Sequence, residues 1–172
     1  MIEAGVFQED DPIELLEGWI VQKMVKNPRH DATVDRVNEL IAARVPADWR
    51  VRVQSAITTA DSEPEPDLAI VRGPASRYLQ HHPHPEDIAL VVEVADTSLA
   101  SDREKARVYA KAAIAQYWIV NIRERLVELF QSPRPADAAY GPPTVYRAGA
   151  EVPIVIAESQ REGIKVDEIF EG

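Results

Sequence analysis

Two carboxylates and a lysine in the middle of the chain are the residues whose types and spacing best suit chemistry. Asp67 follows the acidic, proline-containing segment 63–66, and Glu93 lies inside the apolar run 88–95. A carboxylate in such a run must be paired or must bind a metal, because burying an unpaired charge is costly. Two carboxylates on adjacent strands, with Lys105 close by, have the composition of a divalent-metal site that cuts phosphodiesters.

Each of these residues also has a structural interpretation, which the sequence leaves open. Asp67 would then cap or end a strand. Glu93 would form a salt bridge to an arginine, and Lys105 would be a solvated surface lysine. Tyr109, one helical turn beyond Lys105, would either contact a phosphate or pack on the sheet.

The histidines offer weaker candidates. His30 is either an accessory site residue or a capping or turn residue at a helix N-terminus. His81, His82 and His84 lie in a proline-containing loop with no second set of ligands in view. We therefore expect these three to be loop residues rather than a metal cluster.

Composition favours a globular protein with one domain spanning residues 1–172. The chain is 45% hydrophobic and 28% charged, and it contains no cysteine. No apolar run approaches the roughly 20 residues needed to cross a bilayer, so no membrane association is expected. The first residues lack the basic flank and apolar core of a signal peptide. These features predict a cytoplasmic location.

The net charge of −10 is the wrong sign for a protein that coats nucleic acid. It does not exclude a nuclease, because part of the acidity can belong to a metal site. We expect any contact with DNA to be local and to use a few lysines and arginines.

Hydrophobic periodicity predicts the elements and their order. In chain order they are a helical turn over 12–16, a strand over 19–24, a helix over 31–45, strands over 50–54, 68–71 and 88–95, a helix over 102–113, strands over 116–121 and 126–130, a hairpin around 145 and 152–155, and a helical turn within 164–170. The helix over 102–113 joins two apolar strands, which predicts that they are parallel and adjacent. The fold class is therefore α/β in the wider sense, an α+β arrangement with a central mixed sheet flanked by helices.

Several of these segments closely resemble a bacterial family of putative restriction endonucleases, which is abundant in cyanobacteria and placed in the PD-(D/E)xK nuclease superfamily. The segments are 63–69, 91–99, Asp102-Arg103, Lys105, Tyr109-Ala110 and 116–121, with further signals at 14–18 and 28–30. The resemblance spans nearly the whole chain and implies a restriction-endonuclease-like core.

The resemblance also implies a set of site residues. Asp67, Glu93 and the backbone carbonyl of Val94 would bind Mg²⁺ or Mn²⁺. The superfamily usually carries its lysine two residues after the acidic strand residue, where this chain has Ala95. In this family the lysine is thought to come from the following helix, which corresponds to Lys105.

The family pattern also bears on two further positions, Glu17 and Ala113. Glu17 would be an additional acidic group near the metal, or else a surface glutamate at a helix end. Ala113 stands where relatives usually carry a glycine, and alanine makes a left-handed helix cap less expected.

The lead hypothesis is a metal-dependent endonuclease that hydrolyses DNA, with Lys105 positioning the attacking water. The alternative is a catalytically weak or inactive binding or assembly module with the nuclease fold, which the net charge and Ala95 both favour. DNA is the expected partner. Self-association, as a dimer, is expected through an exposed strand edge or the helix over 31–45.

Overall fold

The computed structural model describes residues 11–23, 26–157 and 159–171, and the side chain of Gln160 is also left undescribed. The strand predicted over 19–24 therefore ends at Met24, which lies outside the described residues. Its described part forms β2 (Trp19–Gln22).

A six-stranded mixed sheet forms the centre of the fold, in the order β3-β4-β5-β6-β7-β8. The strands are β3 (Trp49–Val53), β4 (Leu68–Arg72), β5 (Ile88–Ala95), β6 (Gln116–Asn121), β7 (Leu126–Gln131) and β8 (Thr144–Tyr146). Strands β5 and β6 are parallel, and all other neighbours in this sheet are antiparallel. The predicted parallel pair joined by a crossover helix is confirmed.

Helices cover both faces of the sheet, as predicted. The helices are α1 (Pro28–Ala42), α2 (Leu99–Lys111) and the short α3 (Val166–Phe170). Val34, Val37 and Ile41 of α1 belong to the core cluster on one face, and Tyr109 and Ala110 of α2 belong to the cluster on the other. All eight residues of β5 are buried, which explains its continuous apolar sequence.

The prediction of a helical turn over 12–16 is wrong. These residues form β1 (Ile13–Leu16), which pairs with β2 in an antiparallel hairpin. Its turn residues Glu17 and Gly18 have φ values of 47° and 81°. Positive φ at both central residues is the geometry that a tight two-residue hairpin requires.

The prediction of a hairpin between residue 145 and 152–155 is also wrong. Strand β8 is instead the last strand of the central sheet, where it pairs with β7. Strand β9 (Glu151–Ile156) pairs with β10 (Ser159–Lys165), so the hairpin uses a strand that the sequence pattern did not reveal.

The end of α2 differs from expectation at Ala113. This residue has a φ of 58°, so the left-handed cap forms although glycine is absent. The Ile114 N–H donates to the Tyr109 carbonyl oxygen at 3.1 Å, which closes the last turn of the helix. The tertiary position of β6 therefore outweighs the local preference of alanine.

The helices of the described chain include none with the length and apolarity required to span a membrane.

Candidate functional site

Asp67 and Glu93 come together where β4 begins and β5 ends. Leu68 pairs with Val92, which places the preceding residue Asp67 opposite Glu93. The Asp67 N–H donates to Glu93 Oε2 at 3.3 Å, and the Val94 N–H donates to Asp67 Oδ2 at 2.9 Å. Both residues are buried, with 5% and 4% of their surface exposed. Two acidic side chains thus share one enclosed position.

Strand alternation determines the direction of the Glu93 side chain. Val91 and Ala95 belong to the core cluster on the α2 face, whereas Val92 and Val94 belong to the cluster on the opposite face. Glu93 therefore points towards α2, on the side that the sequence pattern predicted.

Glu93 is held by two residues of α2. Lys105 Nζ lies 3.1 Å from Glu93 Oε1, and the Tyr109 hydroxyl donates to the same oxygen at 2.8 Å. The cationic partner of Glu93 is thus Lys105 and not an arginine, which the salt-bridge alternative had predicted. Lys105 is mostly buried rather than solvated, with 13% of its side chain exposed. Tyr109 is fully buried, so it contacts the carboxylate and is out of reach of a phosphate at the surface.

Glu14 on β1, for which the sequence pattern predicted no role, completes this arrangement. Its Oε1 lies 2.9 Å from Lys105 Nζ, and its Oε2 accepts a hydrogen bond from the Glu65 N–H at 3.2 Å. The sequence does contain one signal for Glu14. In a strand over 13–16, the side chains of Glu14 and Leu16 would lie on the same face. The helical turn predicted for this segment hides the pattern, because a helix places residues two apart on different faces.

Glu17, the predicted accessory acid, does not join the carboxylate pair. It lies exposed in the β1–β2 turn, and its Oε1 is 3.3 Å from an Arg107 terminal nitrogen. The acidic group that reaches the site from this hairpin is therefore Glu14, three residues earlier.

His30 contacts Asp67 instead of capping α1. Its Nε2 lies 3.1 Å from Asp67 Oδ2. The cap is Asn27, whose Oδ1 accepts hydrogen bonds from the N–H groups of Arg29 and His30 at 3.0 and 3.1 Å. Lys26 adds a second cation, with its Nζ 3.6 Å from Asp67 Oδ1. His30 and Lys26 thus place two nitrogen donors beside the Asp67 carboxylate.

The loop histidines and the other basic residues of α2 lie outside the carboxylate pair. The rings of His81 and His84 stack at 5.5 Å in an exposed loop, as expected for loop residues. On α2, Arg103 pairs with Glu128, Arg107 pairs with Glu17 and Lys111 pairs with Asp61. Since each cation has an acidic partner, this helix face does not present a continuous path for phosphates.

The pKa shifts reflect an excess of carboxylates in a buried place. Burial raises the pKa of Glu93 to about 8, with Lys105 opposing the shift and Asp67 adding to it. Burial also raises the pKa of Asp102, on the same side of α2, to about 6. Burial alone would raise the pKa of Asp67, but the hydrogen bond and charge of His30 outweigh this effect, so the pKa is lowered. Burial alone would lower the pKa of Lys105, but the charges of Glu93 and Glu14 outweigh this effect, so the pKa is raised.

These side chains line a cleft of about 670 Å³. Both strands of the β1–β2 hairpin, the start of α1, the end of β5 and the first half of α2 form its walls. Its carboxylate-bearing lining residues are Glu14, Glu17, Glu65, Asp67, Glu93, Asp96, Asp102 and Glu104. A cleft of this composition favours cations, or an anionic ligand that arrives together with cations.

The donor set is suited to a hard divalent cation. Among the described residues, no group of three or more His, Asp or Glu side chains is arranged to hold a metal ion. Mg²⁺ does not need such a group, since it usually keeps several waters and uses one or two carboxylates plus substrate phosphates. Burial raises the pKa of Glu93 to about 8, and a bound cation would lower it by favouring the ionised carboxylate. Asp67 and Glu93 therefore fit Mg²⁺ or Mn²⁺.

The fold is similar to that of a solved structure. A putative nuclease belonging to DUF820 from Anabaena variabilis ATCC 29413 superimposes with a TM-score of 0.73, at 17% sequence identity. The match covers 98% of this chain and 94% of that chain. At this identity the likeness shows the fold alone, and it confirms the predicted nuclease-type fold.

Sequence comparison supplies the family. No curated protein matches the chain. The family model described as "Putative restriction endonuclease" matches residues 2–161, which is most of the 172-residue chain. The chain therefore belongs to the Putative restriction endonuclease family.

Proposed function

We propose that this protein is a divalent-metal-dependent endonuclease that hydrolyses phosphodiester bonds in DNA. The observation that carries the proposal is the convergence of Asp67, Glu93 and Lys105 in one cleft, with Lys105 Nζ 3.1 Å from Glu93 Oε1. Membership of the family and the nuclease-type fold agree with this chemistry.

Asp67, Glu93 and the carbonyl oxygen of Val94 would hold Mg²⁺ or Mn²⁺. When bound, such an ion neutralises charge on the phosphate and lowers the pKa of a bound water. The protein prepares the two carboxylates through backbone hydrogen bonds from Val94 to Asp67 and from Asp67 to Glu93. These bonds fix the relative position of the acids before any ligand arrives.

Lys105 would act as a cation and not as a base. Its raised pKa keeps the amine protonated at neutral pH. An ammonium group has three N–H donors. Glu14 and Glu93 occupy two of them at 2.9 and 3.1 Å, which leaves one for a phosphate oxygen or the attacking water. Lys105 can therefore take the role of the strand lysine whose usual position holds Ala95.

Glu14 and Tyr109 act as positioning residues in this proposal. Glu14 holds Lys105 from the hairpin side, and Tyr109 holds Glu93 from the helix side. Each contact joins elements that are distant in sequence. The geometry of the pair Glu93–Lys105 is thus set by three different parts of the chain.

Cleavage of supercoiled plasmid and of labelled duplex and single-stranded oligonucleotides, with Mg²⁺ or Mn²⁺ and with EDTA, tests the proposal. We expect metal-dependent cutting, with at least a hundredfold loss in Asp67→Asn and in Lys105→Met. Asp61→Asn and Lys111→Met are matched controls. They remove the same two charges from an exposed ion pair that lies apart from Asp67 and Glu93. A wild-type protein that never cuts, or cutting that survives Asp67→Asn, would contradict the proposal.

One observation favours a second function, a binding or assembly module without catalysis. Glu93 Oε1 already has two donors, Lys105 and Tyr109, which compete with a metal for this oxygen. Calorimetric titration with Mn²⁺ separates the two functions. A nuclease site should bind Mn²⁺ and lose at least tenfold in affinity in Glu93→Gln. Equal binding by wild type and variant, without cleavage, would favour the module.

A further inference from the structure

A pair of arginines lies on the edge strand β3, on the face of the sheet that carries the two carboxylates. Arg50 pairs with Val71 and Arg52 pairs with Ala69 in the strand register. Val71 and Ala69 both belong to the core cluster on the α2 face. Because residues two apart share a face, Arg50 and Arg52 point to the same side as Asp67.

These two arginines lack a counter-charge. Both are half-buried, and their Nε atoms are enclosed without a hydrogen-bond partner. In the part of the chain that the structure describes, neither side chain has a carboxylate within ion-pair distance. Burial, together with the neighbouring Arg50, lowers the pKa of Arg52. Two half-buried guanidinium groups on one face of a strand form a local concentration of positive charge.

The surroundings of the pair include an aromatic ring, a third arginine and an acid that is already paired. The Arg52 guanidinium lies 5.6 Å from the centre of the Tyr78 ring. Arg77 stands next to Tyr78 in the chain, and the nearby carboxylate of Asp87 accepts its hydrogen bond at 2.7 Å. The acid in this neighbourhood is therefore already paired. In a chain with a net charge of −10, an uncompensated arginine pair is a local exception.

We propose that Arg50 and Arg52 bind a backbone phosphate of the DNA substrate outside the cleft that contains Asp67 and Glu93. The inference rests on the proposed nuclease function, which it extends to the way the substrate is held. Guanidinium groups present planar forks of N–H donors that match phosphate oxygens. The pair thus supplies the local contact that an acidic protein needs in order to hold a polyanion.

The strand register gives the separation between the two places. Arg52 lies opposite Ala69, Ala69 lies opposite Val91, and Glu93 is two residues further along β5. With strands about 4.8 Å apart and about 3.3 Å per residue, the backbones of Arg52 and Glu93 are roughly 12 Å apart. A duplex strand carries one phosphate per about 3.4 Å of helix axis, so this separation is large enough for the arginine pair and the carboxylates to face different phosphates. The phosphate contacted is therefore close to the bond that would be cut, but distinct from it.

Fluorescence anisotropy with a labelled 30-base-pair duplex in EDTA tests the inference without cleavage. We expect the dissociation constant of Arg50→Ala/Arg52→Ala to rise at least tenfold. The slope of log K against log salt should flatten by about 0.9 for each phosphate that the variant no longer neutralises. Arg50→Lys/Arg52→Lys should keep most of the salt slope and bind with intermediate affinity, since the charge remains but the fork does not. Thermal melting of each variant establishes that it is folded.

Arg134→Ala/Arg147→Ala is the matched control, since it removes the same charge from two exposed arginines in other loops. This control should bind the duplex like wild type. Unchanged affinity and slope in Arg50→Ala/Arg52→Ala, or no measurable binding by wild type, would overturn the inference. Sedimentation velocity tests whether the arginine pair acts instead in self-association. If the variant changes only the oligomeric state, the pair faces a second copy or protects the strand edge, and the inference is also overturned.

The two proposals fail in different ways. A protein that binds the duplex through the arginine pair but never cuts it would refute the nuclease function and keep the phosphate site. A protein that cuts DNA with Mn²⁺ and binds it unchanged in Arg50→Ala/Arg52→Ala would refute only the phosphate site.

Discussion

The Tyr109 hydroxyl donates a 2.8 Å hydrogen bond to the Glu93 oxygen that also faces Lys105. A buried phenol thus favours the ionised form of a carboxyl group whose pKa burial raises to about 8. We predict that Tyr109→Phe destabilises the fold by about 1–3 kcal/mol, because a buried acceptor loses its donor. Urea unfolding measures the loss.

The same variant should weaken Mn²⁺ binding at pH 7, because Glu93 is then harder to ionise. Tyr140→Phe is the control, since it removes a buried hydrogen bond to the Ile114 carbonyl, away from the carboxylates. If both variants bind Mn²⁺ equally well, the phenol has no specific effect on Glu93.

The contact between Glu14 and Lys105 predicts a separation of metal binding from catalysis. Glu14→Gln keeps the size of the side chain but removes the charge that holds Lys105 at 2.9 Å. We expect kcat for DNA cleavage to fall at least tenfold, while the affinity for Mn²⁺ changes less than twofold. Glu17→Gln, on the same hairpin but exposed, should change neither quantity. Equal effects of the two variants on kcat would show that Glu14 has no positioning role.

The raised pKa values of Glu93, about 8, and Asp102, about 6, predict a pH-dependent stability in EDTA. Between about pH 4.5 and 8 the folded protein binds more protons at these groups than the unfolded chain does. The free energy of unfolding should therefore fall as pH rises through this range, by at least about 1 kcal/mol. The raised pKa of His30 acts in the same direction.

Denaturant titrations at several pH values check this dependence. Glu93→Gln should flatten the fall, because it removes the group with the larger shift. Saturating Mn²⁺ should oppose the fall in the wild type, since a bound cation favours the ionised carboxylates. A stability that rises from pH 5 to pH 8 in EDTA would show that the carboxylates of the folded protein are already ionised at low pH.

The left-handed backbone conformation of Ala113 predicts that a substitution at this position stabilises the protein. For a non-glycine residue this conformation costs about 1–2 kcal/mol. Ala113→Gly removes that cost but adds entropy to the unfolded chain, so we expect a net gain of up to about 1 kcal/mol. Ala112 has a φ of −77°, and Ala112→Gly should instead destabilise. The urea midpoint at constant slope provides the measurement, and no gain in Ala113→Gly would show that the cap strain is relieved elsewhere.

The central part of the fold was predictable because its sequence signals are strong and local. The strands over 88–95 and 116–121 are predicted with the bounds that the structure has, because both are largely apolar and a helix of crossover length separates them. The face of Glu93 followed from alternation alone. Weak or conflicting patterns explain the errors at 12–16 and 145–155, where strands are short and pair in ways that sequence order does not specify.

The site was predictable in part for a related reason. Asp67, Glu93 and Lys105 stand out because a charged residue in or next to an apolar strand is unusual. The structure brings these three together. The contacts that Glu14 makes with Lys105, and Lys26 and His30 make with Asp67, were not predictable, because each depends on how the hairpin or the start of α1 docks on the sheet.

The β1–β2 hairpin ties the lysine to an element that is not part of the central sheet. It docks through the backbone pairing of Leu15 with Glu63 and through a hydrogen bond from the Glu17 N–H to the Ser62 hydroxyl oxygen. A two-stranded hairpin is marginally stable by itself. Its local opening would leave β4, β5 and α2 folded but would free Lys105 from Glu14. The competence of the site therefore follows the opening equilibrium of a peripheral hairpin, and the global stability of the protein does not report it.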